Sequence, residues 1–334
     1  MPNIRVMHFG LGPIGAAVAR QIAGRAGFKI VGGIDIDPAM AGRDLGDVIG
    51  LNRRLGLRVQ DTAAKALKAA KPDIVVHCTS SSIKKVMPEL ETILKSKTPV
   101  VSTTEELSYP GYTHIRQARQ IHAWAKKSKV AVLGTGVNPG FAMDALPIML
   151  TGVCERVDRV IVNRVQDARM RRLPFQQKIG AGLTTEQFQK KVDDGSVRHV
   201  GLTESIAMIA DALGWSLSKI TDEIQPKLAT VTVSSEFLAV DPGYVCGIIQ
   251  DGVGYRKGEP VIKLHMEAYL GSPETYDSVE IEGSPNLAMK VAGGIHGDIA
   301  TASIAVNSIS KVLQSAPGLH TMRDLALPSF FPGR

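Results

Sequence analysis

The chain has 334 residues, 44% hydrophobic and 21% charged, enough for a sizeable core and, at about 150 residues per domain, for two domains rather than one. Its 33 glycines and 18 prolines are scattered, which excludes collagen-like and low-complexity chains, and 8 Phe, 6 Tyr and 2 Trp offer little for base-stacking platforms. The net charge of +7 is dispersed over short clusters such as Arg53-Arg54, Lys84-Lys85 and Lys126-Lys127, so an anionic small molecule accounts for it better than nucleic acid, and no apolar run approaches the roughly 20 residues that span a bilayer.

The chain opens on a strand-like run, residues 4–9, without the basic region and cleavage site of a signal peptide, which gives the expectation of a cytoplasmic protein. Residues 13–24 carry a helical pattern, with Pro13 tolerated in the first turn. A second strand follows at 28–35. Asp61 is expected to cap a helix through Ala70, and Pro72-Asp73 leads into a strand at 74–77. A helix around 90–94, a strand at 99–102, a helix at about 112–127 and a strand at 129–133 continue the alternation. Strands alternating with helices require right-handed crossovers and a parallel sheet with helices on both faces. The expected class is therefore α/β, with a doubly wound parallel sheet over residues 1–145.

The pattern changes near Thr151. Residues 156–165 and 228–237 alternate in polarity, 244–254 and 261–269 read as hairpin arms joined across Arg256-Lys257-Gly258-Glu259, and 278–282 adds a short edge strand. Long alternating strands with one polar face imply an α+β domain over residues 146–297 with a largely antiparallel, open-faced sheet. Helices at 184–192 and 204–213 are expected to cover its other face. The last helix, 299–313, is apolar nearly all round. It is expected to be buried, within a C-terminal segment (298–334) that returns to the first domain.

The strongest local signal is Gly10-Leu11-Gly12-Pro13-Ile14-Gly15, which closes a strand and opens a helix. Gly10 permits a tight turn, Gly12 lets the backbone approach a pyrophosphate, and Gly15 lets the helix lie near the strand, while backbone N–H groups at the helix start bind the anion. Asp35 ends the second strand about 20 positions past Gly15, a spacing that suits a carboxylate on the adenosine ribose hydroxyls. Its charge favours NAD, whereas Arg43, Arg53 and Arg54 suit a 2′-phosphate, so NAD and NADP both stay open. Thr79 and Ser80 follow the strand 74–77 at the carboxyl edge of the sheet, where hydroxyls contact ribose or phosphate or else cap the next helix.

Two further segments lie on that rim. Glu105 and Glu106 follow the strand 99–102, and two adjacent carboxylates point in different directions, one towards a nicotinamide crevice and the other towards solvent or a helix end. Gly134-Thr135-Gly136-Val137-Asn138-Pro139-Gly140-Phe141 ends the next strand, with Asn138 able to orient a polar group. The eight histidines and three cysteines (Cys78, Cys154, Cys246) show no metal-ligand spacing, so no metal and no disulfide scaffold is expected.

These motifs, with Asp35-Ile36-Asp37-Pro38, Asp44-Leu45-Gly46-Asp47-Val48-Ile49-Gly50 and Thr104-Glu105-Glu106-Leu107-Ser108-Tyr109-Pro110, resemble the 2,4-diaminopentanoate dehydrogenase and native amine dehydrogenase family. Lys178-Ile179-Gly180-Ala181-Gly182, the run from Glu204 to Trp215, Ala305-Val306-Asn307 and Pro317-Gly318-Leu319 extend the resemblance over nearly the whole chain. The resemblance implies NAD(P) dependence and a Rossmann domain related to dihydrodipicolinate reductase, although that enzyme's His-His and Lys-x-Asp-Ala-Pro-Ser-Gly-Thr signature is missing. It also implies an α+β domain that pairs subunits into homodimers, and a glutamate that binds the substrate nitrogen. Position by position, that glutamate is Glu105, with Glu106 as the alternative.

The chemistry fits such a role. A primary amine is an ammonium ion at neutral pH, without a lone pair to assist hydride departure. A carboxylate at hydrogen-bond distance takes that proton and stabilises the iminium as hydride leaves. Pro139, Phe141 and Met143 would supply an apolar surround, with Glu106 and Asn138 as further substrate contacts. The expected reaction is reversible oxidative deamination of a primary amine to a carbonyl plus ammonia. A 2,4-diaminopentanoate dehydrogenase is the alternative, needing in addition an anion for the distal ammonium and a cation for the carboxylate, for which Asp144, Asp167, Arg169 and Arg172 are candidates. A non-catalytic NAD(P) sensor and a reductase of cyclic imines are the other readings.

Overall fold

In the computed structural model, which describes residues 3–331, the chain divides into two units. One holds the residues up to Phe141 and those from His296 onward; the other is Ala142–Ile295. The first unit begins with β1 (Ile4–Phe9), α1 (Pro13–Ala23), β2 (Phe28–Ile34), α2 (Leu45–Val48), α3 (Ala63–Ala70) and β3 (Ile74–His77). It continues through α4 (Ile83–Lys95), β4 (Val100–Ser102), α5 (Ile115–Ser128) and β5 (Ala131–Gly134). The second unit contains α6 (Ala145–Thr151), β6 (Arg156–Asp167), α7 (Leu173–Lys178), α8 (Thr185–Asp193) and α9 (Leu202–Ala212). Its remaining strands are β7 (Lys219–Leu228), β8 (Val233–Ser234), β9 (Ala239–Val240), β10 (Val245–Arg256), β11 (Glu259–Tyr269), β12 (Tyr276–Ser284) and β13 (Leu287–Ala292). The chain then returns to the first unit as α10 (Gly297–Gln314) and β14 (Gly318–His320).

The first sheet is parallel throughout, in the order β14-β5-β4-β3-β1-β2. Alternation along its short strands sends Met7, Phe9, Val75, Val100 and Val132 to one face, where they pack with Ala66, Leu67, Ile83, Val86, Leu90, Ile93, Leu94 and Ile121 from α3, α4 and α5. The opposite face is covered by α1 and α10, which pack on each other and on the strands. The apolar spacing of α4 (Ile83, Val86, Leu90, Ile93, Leu94) is a helical stripe facing that core. β1 feeds β2 on one side and β3 on the other, so the crevice at their carboxyl ends is the switch point where such sheets bind ligands.

The second sheet runs β13-β12-β6-β11-β10-β7, antiparallel except for the central β6–β11 pair. α9 packs on β7, β10 and β11 across one face. On the other face, residues such as Ile161, Asn163, Ile249, Val253, His265 and Tyr269 are half-buried.

Several expectations are corrected. Thr62 rather than Asp61 is the N-cap of α3. The strand expected at 228–237 lies one segment earlier, as β7; there Pro226 masks the strand signal and is tolerated because β7 is an edge. The Thr/Val/Ser alternation that follows forms only the two-residue pair β8–β9. Residues 278–282 belong to the longer β12, which is internal, because β13 pairs outside it. The last helix is not buried all round: Ala302, Ala305, Val306, Ile309 and Val312 face the core, but Ile299 is 62% exposed. Among the described residues no helix is long and apolar enough to cross a membrane.

Candidate active site

The glycine loop is built by steric demand. Gly10 has φ +88°, its N–H donates to the Ile34 carbonyl (2.8 Å), and a Cβ there would lie 2.5 Å from the Cys78 carbonyl oxygen. A Cβ on Gly15 would lie 1.9 Å from the Gly10 carbonyl oxygen. At Gly12, the N-cap of α1, a Cβ would meet nothing within 4 Å, and no side chain caps the helix. Two glycines of the fingerprint therefore serve packing and one leaves open the approach to the helix start, with Pro13 and Ile14 forming the first turn. That open side, with N–H groups of an 11-residue helix behind it, fits a dinucleotide pyrophosphate.

Asp35 bridges the loop and the end of β2. Its Oδ2 accepts from Leu11 N (2.6 Å) and its Oδ1 from Asp37 N (2.9 Å), leaving the half-buried carboxylate with further acceptor capacity on the rim. Arg43 is exposed and donates to the Ala39 carbonyl (3.2 Å), Arg53 is exposed, and Arg54 pairs with Asp47 (3.4 Å). Asp44 binds three backbone N–H groups, of Gly46, Leu55 and Gly56, and the Leu55 bond foremost holds its carboxyl below the usual range. The Asp44–Gly50 motif thus shapes the loop after β2.

Thr79 and Ser80 lie past β3, but both hydroxyls are engaged within the protein. Thr79 Oγ1 donates to Glu89 Oε2 (2.6 Å), and Ser80 Oγ accepts from Ser82 N (3.2 Å) in the turn before α4. Glu105 and Glu106 open a 3-10 turn, Glu105–Leu107, directly after β4. Adjacent positions of such a turn lie about 120° apart around its axis. Glu106 Oε2 accepts from Ile83 N (2.8 Å), at the start of α4, and lies 3.2 Å from His114 Nε2. Glu105 is half-buried on the same rim.

The turn after β5 is tied back to β4 by Thr135 N donating to the Ser102 carbonyl (2.8 Å), and to α10 by Val137 N donating to Thr301 Oγ1 (3.3 Å). It carries the buried Asn138 and Pro139, joined by a cis peptide bond, and the half-buried Phe141. The carboxyl edge of one sheet thus brings together the glycine loop, Asp35, Thr79, Ser80, Glu105, Glu106, Asn138, Pro139 and Phe141. Met143 is buried in the second unit. Of the other candidates there, Asp144 caps α6 through Ala145 N (2.6 Å) and accepts from Ser205 Oγ (2.8 Å), while Asp167 pairs with Arg169 (2.6 Å). Among the described residues no group of His, Cys, Asp and Glu side chains is arranged to hold a metal ion.

A polar network at this rim went unrecognised in the sequence. His77 is wholly buried at the end of β3, with Nδ1 2.9 Å from Ser102 Oγ and Nε2 2.7 Å from Glu89 Oε2. Ser102 Oγ in turn donates to Thr104 Oγ1 (3.0 Å) and accepts from Thr104 N (3.2 Å). The signal available was a histidine and a serine ending neighbouring strands, but their pairing with a helix glutamate depends on packing.

The family model of the 2,4-diaminopentanoate dehydrogenase C-terminal domain matches residues 141–333, and that of the dihydrodipicolinate reductase N-terminus matches residues 4–135. The chain is 36% identical to 2,4-diaminopentanoate dehydrogenase of Acetoanaerobium sticklandii, covering 100% of this chain and 96% of that one. It is 24% identical to an amine dehydrogenase of Streptomyces virginiae, covering 97% and 96%. Among solved structures, amine dehydrogenase from Mycobacterium smegmatis superposes with a TM-score of 0.88 at 26% identity, covering 99% and 98%. With a parallel nucleotide-binding sheet, a mixed second sheet and matches along its whole length, the chain belongs to the 2,4-diaminopentanoate dehydrogenase family of oxidoreductases, which act on amine groups.

Proposed function

We propose that the protein is an NAD(P)-dependent amine dehydrogenase in which Glu105 is the catalytic carboxylate. The observation that carries this reading is that Glu105, half-buried directly after β4, stands on the same carboxyl rim of the parallel sheet as the open glycine loop. The helix start behind Gly12 would hold the pyrophosphate, and Asp35 the adenosine ribose. The bound nicotinamide would accept a hydride from the carbon that bears the nitrogen. Glu105 takes one proton from the substrate ammonium, which frees the lone pair that expels the hydride, and then faces the resulting iminium as a counter-charge. Asn138, Pro139 and Phe141 would line the pocket on the side of the first unit. Water then adds to the iminium carbon and ammonia leaves, giving ketone or aldehyde; the reverse sequence is reductive amination.

The relative named for 2,4-diaminopentanoate, matched along the whole of this chain, makes that diamino acid the first substrate to test beside simple amines. The half-buried open face of the second sheet, with Ile161, Ile249, Val253 and Tyr269, supports pairing of two copies in a homodimer. The test is turnover of the purified protein with NAD or NADP against simple amines, 2,4-diaminopentanoate, hydroxy acids and cyclic imines. Reduction of the cofactor only with amines is expected, abolished in Glu105→Gln while NADH still binds. Undiminished turnover by Glu105→Gln refutes the assignment of the base.

A further inference from the structure

We propose that His77 and Glu89 are positioning residues for Glu105, acting through Ser102 and Thr104; this rests on the reading of Glu105 given above. The mechanism leaves these groups unused, yet His77 is bonded at both ring nitrogens and Glu89 to two partners. Glu89 projects from the middle of α4, and its Oε2 meets both His77 Nε2 (2.7 Å) and Thr79 Oγ1 (2.6 Å). His77, without exposed surface, passes this anchor through the sheet to Ser102 Oγ on β4 (2.9 Å). Ser102 then holds Thr104 by both its hydroxyl and its backbone N–H.

Thr104 is the residue before Glu105. The residue after it, Glu106, is fixed to the first turn of the same helix α4 through Ile83 N (2.8 Å). Glu105 is thus flanked on both sides by residues tied to α4, one through a buried imidazole and one directly. Burial works to raise the Glu89 carboxyl, but the hydrogen bonds from His77 and Thr79 outweigh it and hold the group below its ordinary value, so the anchor stays ionised at neutral pH. A short 3-10 turn has few internal hydrogen bonds with which to fix a side chain, so its direction is set by what grips it on either side. A misplacement of about 1 Å at a reacting group costs on the order of a hundredfold in rate.

Glu89→Gln and Thr104→Val test this separately. Each is expected to lower kcat for amine oxidation by about 10- to 100-fold, with the amine KM and the NADH dissociation constant, read by fluorescence, within about twofold of the parent. Thr104→Ser, which keeps the hydroxyl, should restore most of kcat. In a Glu105→Asp background both substitutions should cost much less than they do alone, since the carboxylate they aim has already moved. Wild-type kcat in both variants overturns the inference, as does a fall in kcat matched by an equal loss of NADH affinity, which would mean that the network merely supports the unit. If Glu105→Gln is inactive while both variants turn over normally, only this inference fails; if Glu105→Gln is active, the assignment of the base fails first.

Discussion

Acidification should weaken the first unit through a single imidazole. His8 lies in β1, is 1% exposed, and neither ring nitrogen has a hydrogen-bond partner. Burial lowers its pKa from 6.5 to about 4. A depressed histidine pKa means that the unfolded chain binds the proton first, between the two values. The contribution to stability is therefore complete above pH 6.5 and is lost progressively as pH falls towards 4. About two and a half pH units at about 1.4 kcal/mol each give about 3.5 kcal/mol in full, of which about 3 kcal/mol is lost by pH 4, where the folded ring is half protonated. The perturbation is His8→Leu, which keeps an apolar side chain of similar size in the strand and removes the titration. Urea unfolding of both proteins at pH 7, 6, 5 and 4 measures it. Carboxylates and His199, whose burial likewise lowers its pKa, contribute to both curves and cancel in the difference. The parent should lose about 3 kcal/mol more than the variant between pH 7 and 4. Parallel pH dependences, within about 1 kcal/mol, would refute the premise that this ring is neutral and buried in the native state.

Two further outcomes follow from the cofactor rim. Gly15→Ala forces a Cβ within 1.9 Å of the Gly10 carbonyl oxygen and should weaken NADH binding by more than tenfold in a fluorescence titration. Asp35→Ser removes the charge at the end of β2 and should raise the ratio of kcat/KM with NADP to that with NAD; it should also cost some affinity for both, because Leu11 N loses its acceptor.

Much of this architecture is legible in the residues themselves, for identifiable reasons. Gly10 and Gly15 are imposed by contacts of the backbone with itself, so their spacing carries the loop and the strand–helix junction around it. The amphipathic stripe of α4 and the β-branched runs of β1 and β3 depend on periodicity, which survives without tertiary knowledge. What was not legible depends on partners distant in the chain. β14 is three residues long and becomes a strand only because β5 offers an open edge. β7 carries lysines, acids and Pro226, and is a strand because β10 pairs with it. The pairing of His77 with Glu89 joins a strand to a helix across a packed face, and which of the two adjacent glutamates meets the start of α4 is decided by a 3-10 turn that no polarity pattern announces.

The excursion of the chain through residues 142–295 has a consequence for synthesis on the ribosome. β14 pairs with β5, and α10 packs on α1 and on β3, β4 and β5, so the last edge and one covering layer of the parallel sheet are translated after the whole second unit. At roughly 5–20 residues per second, the nascent glycine loop waits on the order of ten seconds or more for these elements. The nucleotide-binding half is thus the first begun and the last completed, and a chain that terminates early leaves the apolar underside of its strands to chaperones.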